Sequence, residues 1–558
     1  MRKNNKITMK NGNNYYSNNF SNSKNIYGQQ KNYMTMTYLP TDPKTPTPSV
    51  SSSPYNNSFI SNEQSCPEDE EETKYIEKIL REDFHLFENR EESIKREEVL
   101  NKLNNMVKSV ICSLAKKKGF SDEAAKEMGG KIFTFGSYRL GVVGPGDDID
   151  VLCVGPEHAE RSEFFDEMII FLKKEKEISL LFPIKDANVP IIKIIFSDIP
   201  IDLLFARLSF KSIDDKLDSL QDDSLLQNCT RECVLSLNGC RVTNLILSLV
   251  PNPESFRLTL RAIKLWAKKR GIYANTIGYP GGVAWAILVA KVCKMFPNLK
   301  PNKLIKKFFE VFSSWNWDEP VQINEIKKEV LFSCPVEVWK PEDKKCFNIL
   351  TPAFPCQNTN YNTTETTKRV MLDEFHKFKE FTEKISYKDQ NPDNEYTWKS
   401  LFSEIDFFDQ FSVFLQIDIL ANTEMDFKSW NGFVESRLRF LIKHFEEFPQ
   451  IKLRPYTNGY KLKDPKFKFS KTYFYGIEFV DPDVLYQNIP KEVKEDKLII
   501  NLRKPVKNFI MKINEKRIHE KDMNLRLKIV TLESLPIEII QKKKMDLNLF
   551  SGKKRKIN

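Results

Sequence analysis

Residues 135–154 read FGSYRLGVVGPGDDIDVLCV, placing the acids Asp147, Asp148 and Asp150 at the head of an apolar run. Along an extended backbone side chains alternate, so Asp148 and Asp150 share one face while Ile149, Val151 and Cys153 take the other. Two carboxylates roughly 6–7 Å apart, at an effective dielectric of about 20, repel by about 2–3 kcal/mol. Asp202 opens a second apolar run, IDLLFARL, and a third acid brought nearby adds to that cost. A hard divalent cation offsets such repulsion, and carboxylate together with phosphate oxygen is a usual environment for magnesium. A solvated turn with acids at a strand end explains the Asp-x-Asp pair alone about equally well. Asp147 has the opposite parity if the strand has already begun there, so it is read as a turn or supporting acid outside the site.

The residues just upstream favour the metal reading. Gly136 and Ser137 form a turn able to offer backbone N–H groups and a hydroxyl to phosphate oxygens beside a metal. Farther on, Arg257, Arg261, Lys264 and Lys268 recur every three to four residues and make one basic stripe on a helix. A stripe alone is most simply a solvated face. This one ends at GIYANTIGYPGGVAWAILVA, where a glycine-rich turn with aromatics leads into a buried helix, a better match to a nucleotide pocket.

These residues need a scaffold, and 558 residues are enough for about three domains plus tails. The net charge of +10 suits a polyanionic partner. The ten cysteines show no ligand spacing, so buried reduced thiols in a reducing compartment are expected, with no structural zinc. No signal peptide and no run of 18 apolar residues is evident, which predicts a soluble intracellular protein. Residues 1–70, rich in Asn, Ser, Tyr and Pro, read as a disordered tail. Helices are expected in YIEKILREDFHLF and EESIKREEVLNKLNNMVKSVICSLAKKKGF, and strands at 148–154, 189–196 and 199–208, with the helix FFDEMIIFLKKEK between the first two. Asn252, Pro253 and Gly271 bound a helix over 253–270. After a linker near 387–397, LFSEIDFFDQFSVFLQIDILA and GFVESRLRFLIKHFEEF read as helices, and KTYFYGIEFV and LKIVTLESL as strands.

In this order, GSYRLGVVGPGDDIDVLCV, VPIIKIIFSDIPIDLLFARL, SLNGCRVTNLILSLVP, FRLTLRAIKLWAKKRGIYAN and GYPGGVAWAILVAKVC resemble the eukaryotic nuclear poly(A) polymerases, members of the polymerase-β-like nucleotidyltransferases. The likeness continues through LTPAFPCQNTNYN and covers about residues 75–480. It implies a multidomain α+β fold: a palm with a mixed sheet and helices over 95–210, a helical central domain from 71–94 and 211–390, a ferredoxin-like or RRM-like RNA-binding domain over 391–541, and a basic tail over 542–558. It implies template-independent addition of AMP from ATP to an RNA 3′ end, releasing pyrophosphate, by a two-metal-ion mechanism in pre-mRNA polyadenylation.

Carried over by position, the resemblance makes Asp148, Asp150 and Asp202 the catalytic, metal-binding acids. Phe135, Gly136 and Ser137 would meet the nucleotide, Asn238 its sugar or phosphate, Lys264 and Tyr273 the triphosphate, and Gly282 and Val283 the region of the base, with Lys268 and Asn275 as further candidates. It implies Mg2+, with Mn2+ as a substitute. The implied partners are ATP, RNA and the cleavage and polyadenylation machinery, for a monomeric catalytic subunit in the nucleus that needs no membrane. The terminal KKRK suits nuclear import. Many relatives carry His-Thr-Lys-Gly-Ala where this chain has Val143-Gly144-Pro145-Gly146-Asp147. Uridylate or CCA addition, a catalytically silent RNA-binding subunit and a scaffold are the competing readings.

Overall fold

The computed structural model describes residues 53–184, 189–342, 347–388, 394–480, 496–515 and 522–540, so most of the expected tail, 1–52, and the basic tail 542–558 lie outside the described residues. The chain forms two compact units that divide between Ile405 and Asp406.

The first unit begins with a segment that departs from the tail expected over 1–70. Tyr55 and Phe59 pack edge-on at 5.2 Å, and Tyr55 sits 6.3 Å from Phe296. Asn57 donates to the Pro320 carbonyl at 2.8 Å, and Ser61 N donates to Met295 O at 2.7 Å. Two aromatic anchors and these hydrogen bonds order a stretch whose composition alone reads as unfolded. Helix α1 (Pro67–Lys78) follows and runs into a π-helical turn over Ile79–Asp83.

Helix α2 (Arg90–Lys117) starts at a reciprocal cap, in which the Asn89 side chain accepts from Glu92 N and the Glu92 carboxylate accepts from Asn89 N. It ends where Gly119 turns left-handed at φ 87°. Its buried face, Val99, Leu103, Val107, Val110, Ile111 and Leu114, lies in one core with the palm sheet. That sheet is built from β1 (Lys131–Phe135), β2 (Ile149–Gly155), β3 (Ile178–Ile184), β4 (Ile191–Phe196) and β5 (Ile199–Arg207), with a short helix α3 (Gly136–Leu140) after β1 and α4 (Arg161–Lys174) after β2. The strand order is β1-β2-β5-β4-β3, and β2 pairs in parallel with β5 while its other edge takes β1 antiparallel. The parallel register sets Asp150 opposite Asp202. Strands β2, β4 and β5 are those the alternating patterns indicate; β1 and β3 are additional.

The central helices are α5 (Arg231–Leu249), α6 (Pro253–Lys269), α7 (Gly282–Met295), α8 (Pro301–Ser314) and α9 (Glu365–Lys384). As the sequence indicates, Asn252 caps α6 by accepting from Ser255 N at 3.0 Å, and Gly271 closes it at φ 68°. Trp266 of α6 meets Phe309 of α8 at 4.8 Å and Trp285 of α7 at 5.9 Å, forming an aromatic core. Beside it a buried ion pair joins α6 to α9: Arg270 Nε lies 2.8 Å from Glu374 Oε2, with the side chains only 7% and 5% exposed. Glu374→Ala takes a hydrogen-bonded counter-charge from a buried guanidinium and is expected to cost about 3–5 kcal/mol, measurable by thermal or urea unfolding. Among the described residues no single helix is long and apolar enough to cross a membrane. The described cysteines are free thiols, six of them buried, while Cys66 is exposed at the start of α1.

The second unit holds β6 (Val413–Ala421), α10 (Glu424–Glu435), α11 (Leu438–Glu446), β7 (Ile451–Pro455), β8 (Phe469–Phe479), α12 (Asp496–Glu515) and β9 (Met523–Thr531). Its antiparallel sheet has the order β7-β8-β6-β9, which with helices between the first and second and between the third and fourth strands is the ferredoxin-like arrangement. One expectation fails here. Residues 413–421, read as part of a helix, form one of the two inner strands; Leu415, Ile417 and Ile419 alternate there with Gln416 and Asp418, a short two-residue period set within a longer apolar stretch that also fits a helix.

Candidate active site

The turn after β1 sets the site. Gly136 has φ 63°, and a Cβ built there would lie 2.0 Å from Asp150 Oδ2, so the backbone passes directly against that carboxylate. Phe135 lies over Gly239 of α5, whose hydrogen leaves room for the ring. The Gly136 amide donates to Thr243 Oγ1 at 3.3 Å and is therefore spent within the protein, against the expectation of a free donor at this turn.

Around this turn is a cavity of about 600 Å³ between the palm and the central helices. Phe135, Gly136 and Ser137 line it from one side, with Asp148, Asp150 and Asn238; Lys264, Lys268, Tyr273, Gly282 and Val283 line it from the other. Two expected residues stand apart. Asp202 is not on the cavity wall: its Oδ2 meets Lys193 Nζ of β4 at 2.5 Å. Asn275 donates to Thr359 O at 2.9 Å and accepts from Asn362, which fixes the 350–362 segment. That segment contributes Thr351 and Gln357 to the wall, which no chemical pattern in the sequence indicated. Lys193 was legible: it is the lone charge in VPIIKIIF, the same kind of signal that singled out Asp202.

Asp147 also reaches the wall. The parity argument that set it aside fails because β2 begins only at Ile149. Asp147 is a turn acid whose Oδ2 accepts from Gly144 N at 2.9 Å, in keeping with the supporting role expected of it. The basic stripe divides likewise. Lys264 and Lys268 face the cavity, but Arg257 and Arg261 turn to backbone carbonyls of the 140–143 loop.

Burial, followed by Asp148 and Asp202, pushes the Asp150 carboxyl up to about 7. Burial also raises Asp202, against the pull of Lys193. Lys264 is lowered to about 8 by burial and by neighbouring Lys268, and Tyr273 is raised to about 12 by burial, then by Asp147 and Asp148. Asn238 Oδ1 is buried on the wall with no partner among the described residues, an acceptor suited to a ligand hydroxyl.

The donor chemistry fits a divalent cation: hard carboxylate oxygens on adjacent strands whose mutual repulsion a cation would relieve. The described residues contain no closed set of three ligands, and Asp202 is paired with Lys193.

A parallel-antiparallel palm sheet with paired acids beside a basic, aromatic cavity defines a nucleotidyltransferase. Residues 58–250 match the poly(A) polymerase nucleotidyltransferase domain, 255–404 its central domain and 406–471 its predicted RNA-binding domain. The chain is 44% identical over 404 residues to the poly(A) polymerase of Dictyostelium discoideum, covering 71% of this chain and 49% of the relative. It is 39% identical over 471 residues to nuclear poly(A) polymerase 1 of Arabidopsis thaliana, covering 83% of this chain and 63% of the relative. A solved structure of the Cid1 poly(U) polymerase with MgGTP is 13% identical, covers 60% of this chain and 99% of that one, and has a TM-score of 0.41, too low to add to the assignment. This chain belongs to the poly(A) polymerase family. The chain spans about half to just under two thirds of the length of these curated relatives.

Proposed function

We propose that the chain is a template-independent polynucleotide adenylyltransferase that adds AMP from ATP to the 3′ end of RNA and releases pyrophosphate. The observation that carries this is the convergence on one cavity of Asp148 and Asp150 with Lys264, Tyr273 and Asn238. Asp148 and Asp150, with Asp202 once exchanged from Lys193, would hold two magnesium ions, manganese substituting. Bound there, the ions supply Lewis acidity to the attacking 3′-hydroxyl and to the leaving pyrophosphate oxygens.

The protein groups orient the substrates. Lys264 places positive charge against the triphosphate and Tyr273, held neutral, can donate its phenol hydrogen to it. Asn238 Oδ1 accepts from a ribose hydroxyl. Ser137 supplies the remaining donor at the β1 turn, Phe135 closes that side, and Gly282 and Val283 flank the base.

Lys264 yields a pH signature. Below pH about 8 it is already charged in the free site; above that, ATP must bind with uptake of a proton, because the phosphates favour the charged amine. ATP affinity measured by titration calorimetry should therefore fall by up to about tenfold per pH unit above pH 8. Lys264→Met should bind weakly with that slope removed.

The deciding assay is primer extension on oligo(A) with each of the four ribonucleotides, with and without Mg2+. Metal-dependent extension by ATP alone supports the proposal; comparable extension by UTP overturns the adenylate assignment, and RNA binding without extension favours a silent subunit. Action in the nucleus is part of this proposal and is supported by relatives named nuclear poly(A) polymerases; action on pre-mRNA as a monomer recruited by the cleavage and polyadenylation machinery is proposed with it.

A further inference from the structure

The loop from Gly141 to Asp147 leads directly into Asp148, yet it has little internal bonding: Val142 N reaches back to Ser137 O, and Gly144 and Asp147 close a small turn. Its carbonyls instead meet arginines from two helices outside the sheet. Arg261 of α6 donates through Nη2 to Gly141 O at 3.0 Å and through Nη1 to Val143 O at 2.9 Å. Arg96 of α2 donates through Nη2 to Asp147 O at 2.8 Å and to Gly144 O at 3.4 Å.

Both arginines are keyed in turn by the segment between the π-helical turn and α2. Arg261 Nη1 also donates to Leu86 O at 2.5 Å, and its guanidinium lies 4.4 Å from the centre of the Phe87 ring. Arg81 lies 4.0 Å from that ring, so Phe87 is held between two guanidiniums. Glu88 pairs with Arg96, whose side chain is 4% exposed. A planar guanidinium that serves three carbonyls and an aromatic face has a fixed direction, which a lysine cannot reproduce. Arg261 also stands one helical turn before Lys264 on the same helix, so a single rigid element carries the lysine aimed at the phosphates and the grip on the acid-bearing loop.

We propose that Arg261, braced by Phe87, is a positioning residue that sets the loop leading to Asp148 in register with Lys264. It touches neither substrate nor metal. This rests on the adenylyltransferase reading above.

The test uses the full chain, with Arg261→Lys keeping the charge and losing the fork. Amide exchange is followed at Gly144 and Asp147 without ligand, alongside primer extension at varied ATP. The expected result is faster exchange at both amides by about tenfold or more and a kcat lower by about 10–100-fold, with KM for ATP little changed. Wild-type kcat in Arg261→Lys, or a lowered kcat with unchanged loop exchange, overturns the proposal. If Arg261→Lys unfolds, Phe87→Leu decides by the same two readouts, since it leaves every Arg261 hydrogen bond available and removes the ring against which Arg261 and Arg81 lie. A wild-type chain that fails to extend primer refutes the functional reading instead, while its loop exchange against Arg261→Lys still reports on the clamp.

Discussion

Asp148→Ala should reduce AMP incorporation by about 10³-fold or more while leaving the fold at least as stable as before. The two halves of this expectation have different sources. Asp148 is exposed at the cavity rim, immediately before β2, so truncating it removes little packing. It is also one of the two carboxylates that, after burial, raise Asp150. A carboxyl raised to about 7 stays protonated in the folded chain while its unfolded counterpart ionises near pH 4, so stability contributed by this group falls as pH rises from about 4 to about 7. Removing Asp148 weakens that penalty, and the stability of the variant should fall less steeply across this window. Asp202→Ala contrasts with it: activity is expected to fall as far, but Lys193 loses the partner it holds at 2.5 Å. Primer extension and urea unfolding at pH 5 and pH 7 separate the outcomes. Near-normal extension by folded Asp148→Ala would remove the acid pair from the proposed mechanism.

What could be read in advance follows from how local the cause is. Strands β2 and β5 announce themselves because charged residues interrupt apolar runs, and α6 because cap, proline and closing glycine lie at its ends. Strand β1 escaped because KIFTF is five residues long and half-buried throughout, leaving no alternation to detect. Strand β6 does alternate over Leu415-Gln416-Ile417-Asp418-Ile419, but the period is short and sits in a longer apolar stretch that also fits a helix. Within the site, residue type and spacing identified Asp148, Asp150 and Lys264 as chemical candidates, the family resemblance added Tyr273, and all four line one cavity. The assignments that needed partners in space fared differently. Arg257 and Arg261 have the spacing of Lys264 and Lys268, but only the fold reveals that carbonyls of the 140–143 loop take them. Asp202 reads as an equal of Asp150, and only the pairing of β4 with β5 shows Lys193 beside it.

Gly136→Ala should be almost as damaging as loss of an acid, although it deletes nothing. Two costs coincide at this glycine. Its φ of 63° lies where an L-residue costs about 1–2 kcal/mol. The added methyl would also lie 2.0 Å from Asp150 Oδ2, closer than any real contact, so either the turn or the carboxylate must move. Moving the turn disturbs Phe135 and Ser137; moving the carboxylate displaces the buried acid of the pair. Either shift is of order 1 Å at the reacting centre and should cost about 100-fold in kcat. Gly119→Ala separates the two costs. Gly119 has φ 87° and nothing within 4 Å of its built Cβ, so it carries the backbone penalty without the collision. In urea unfolding Gly119→Ala should lose about the backbone penalty alone, and Gly136→Ala should lose more, by the cost of moving the turn or the carboxylate. Only Gly136→Ala should lose primer extension. If both lose activity equally, the effect belongs to stability and not to the contact between the β1 turn and Asp150; if neither does, Asp150 tolerates displacement and is not held in place by that turn.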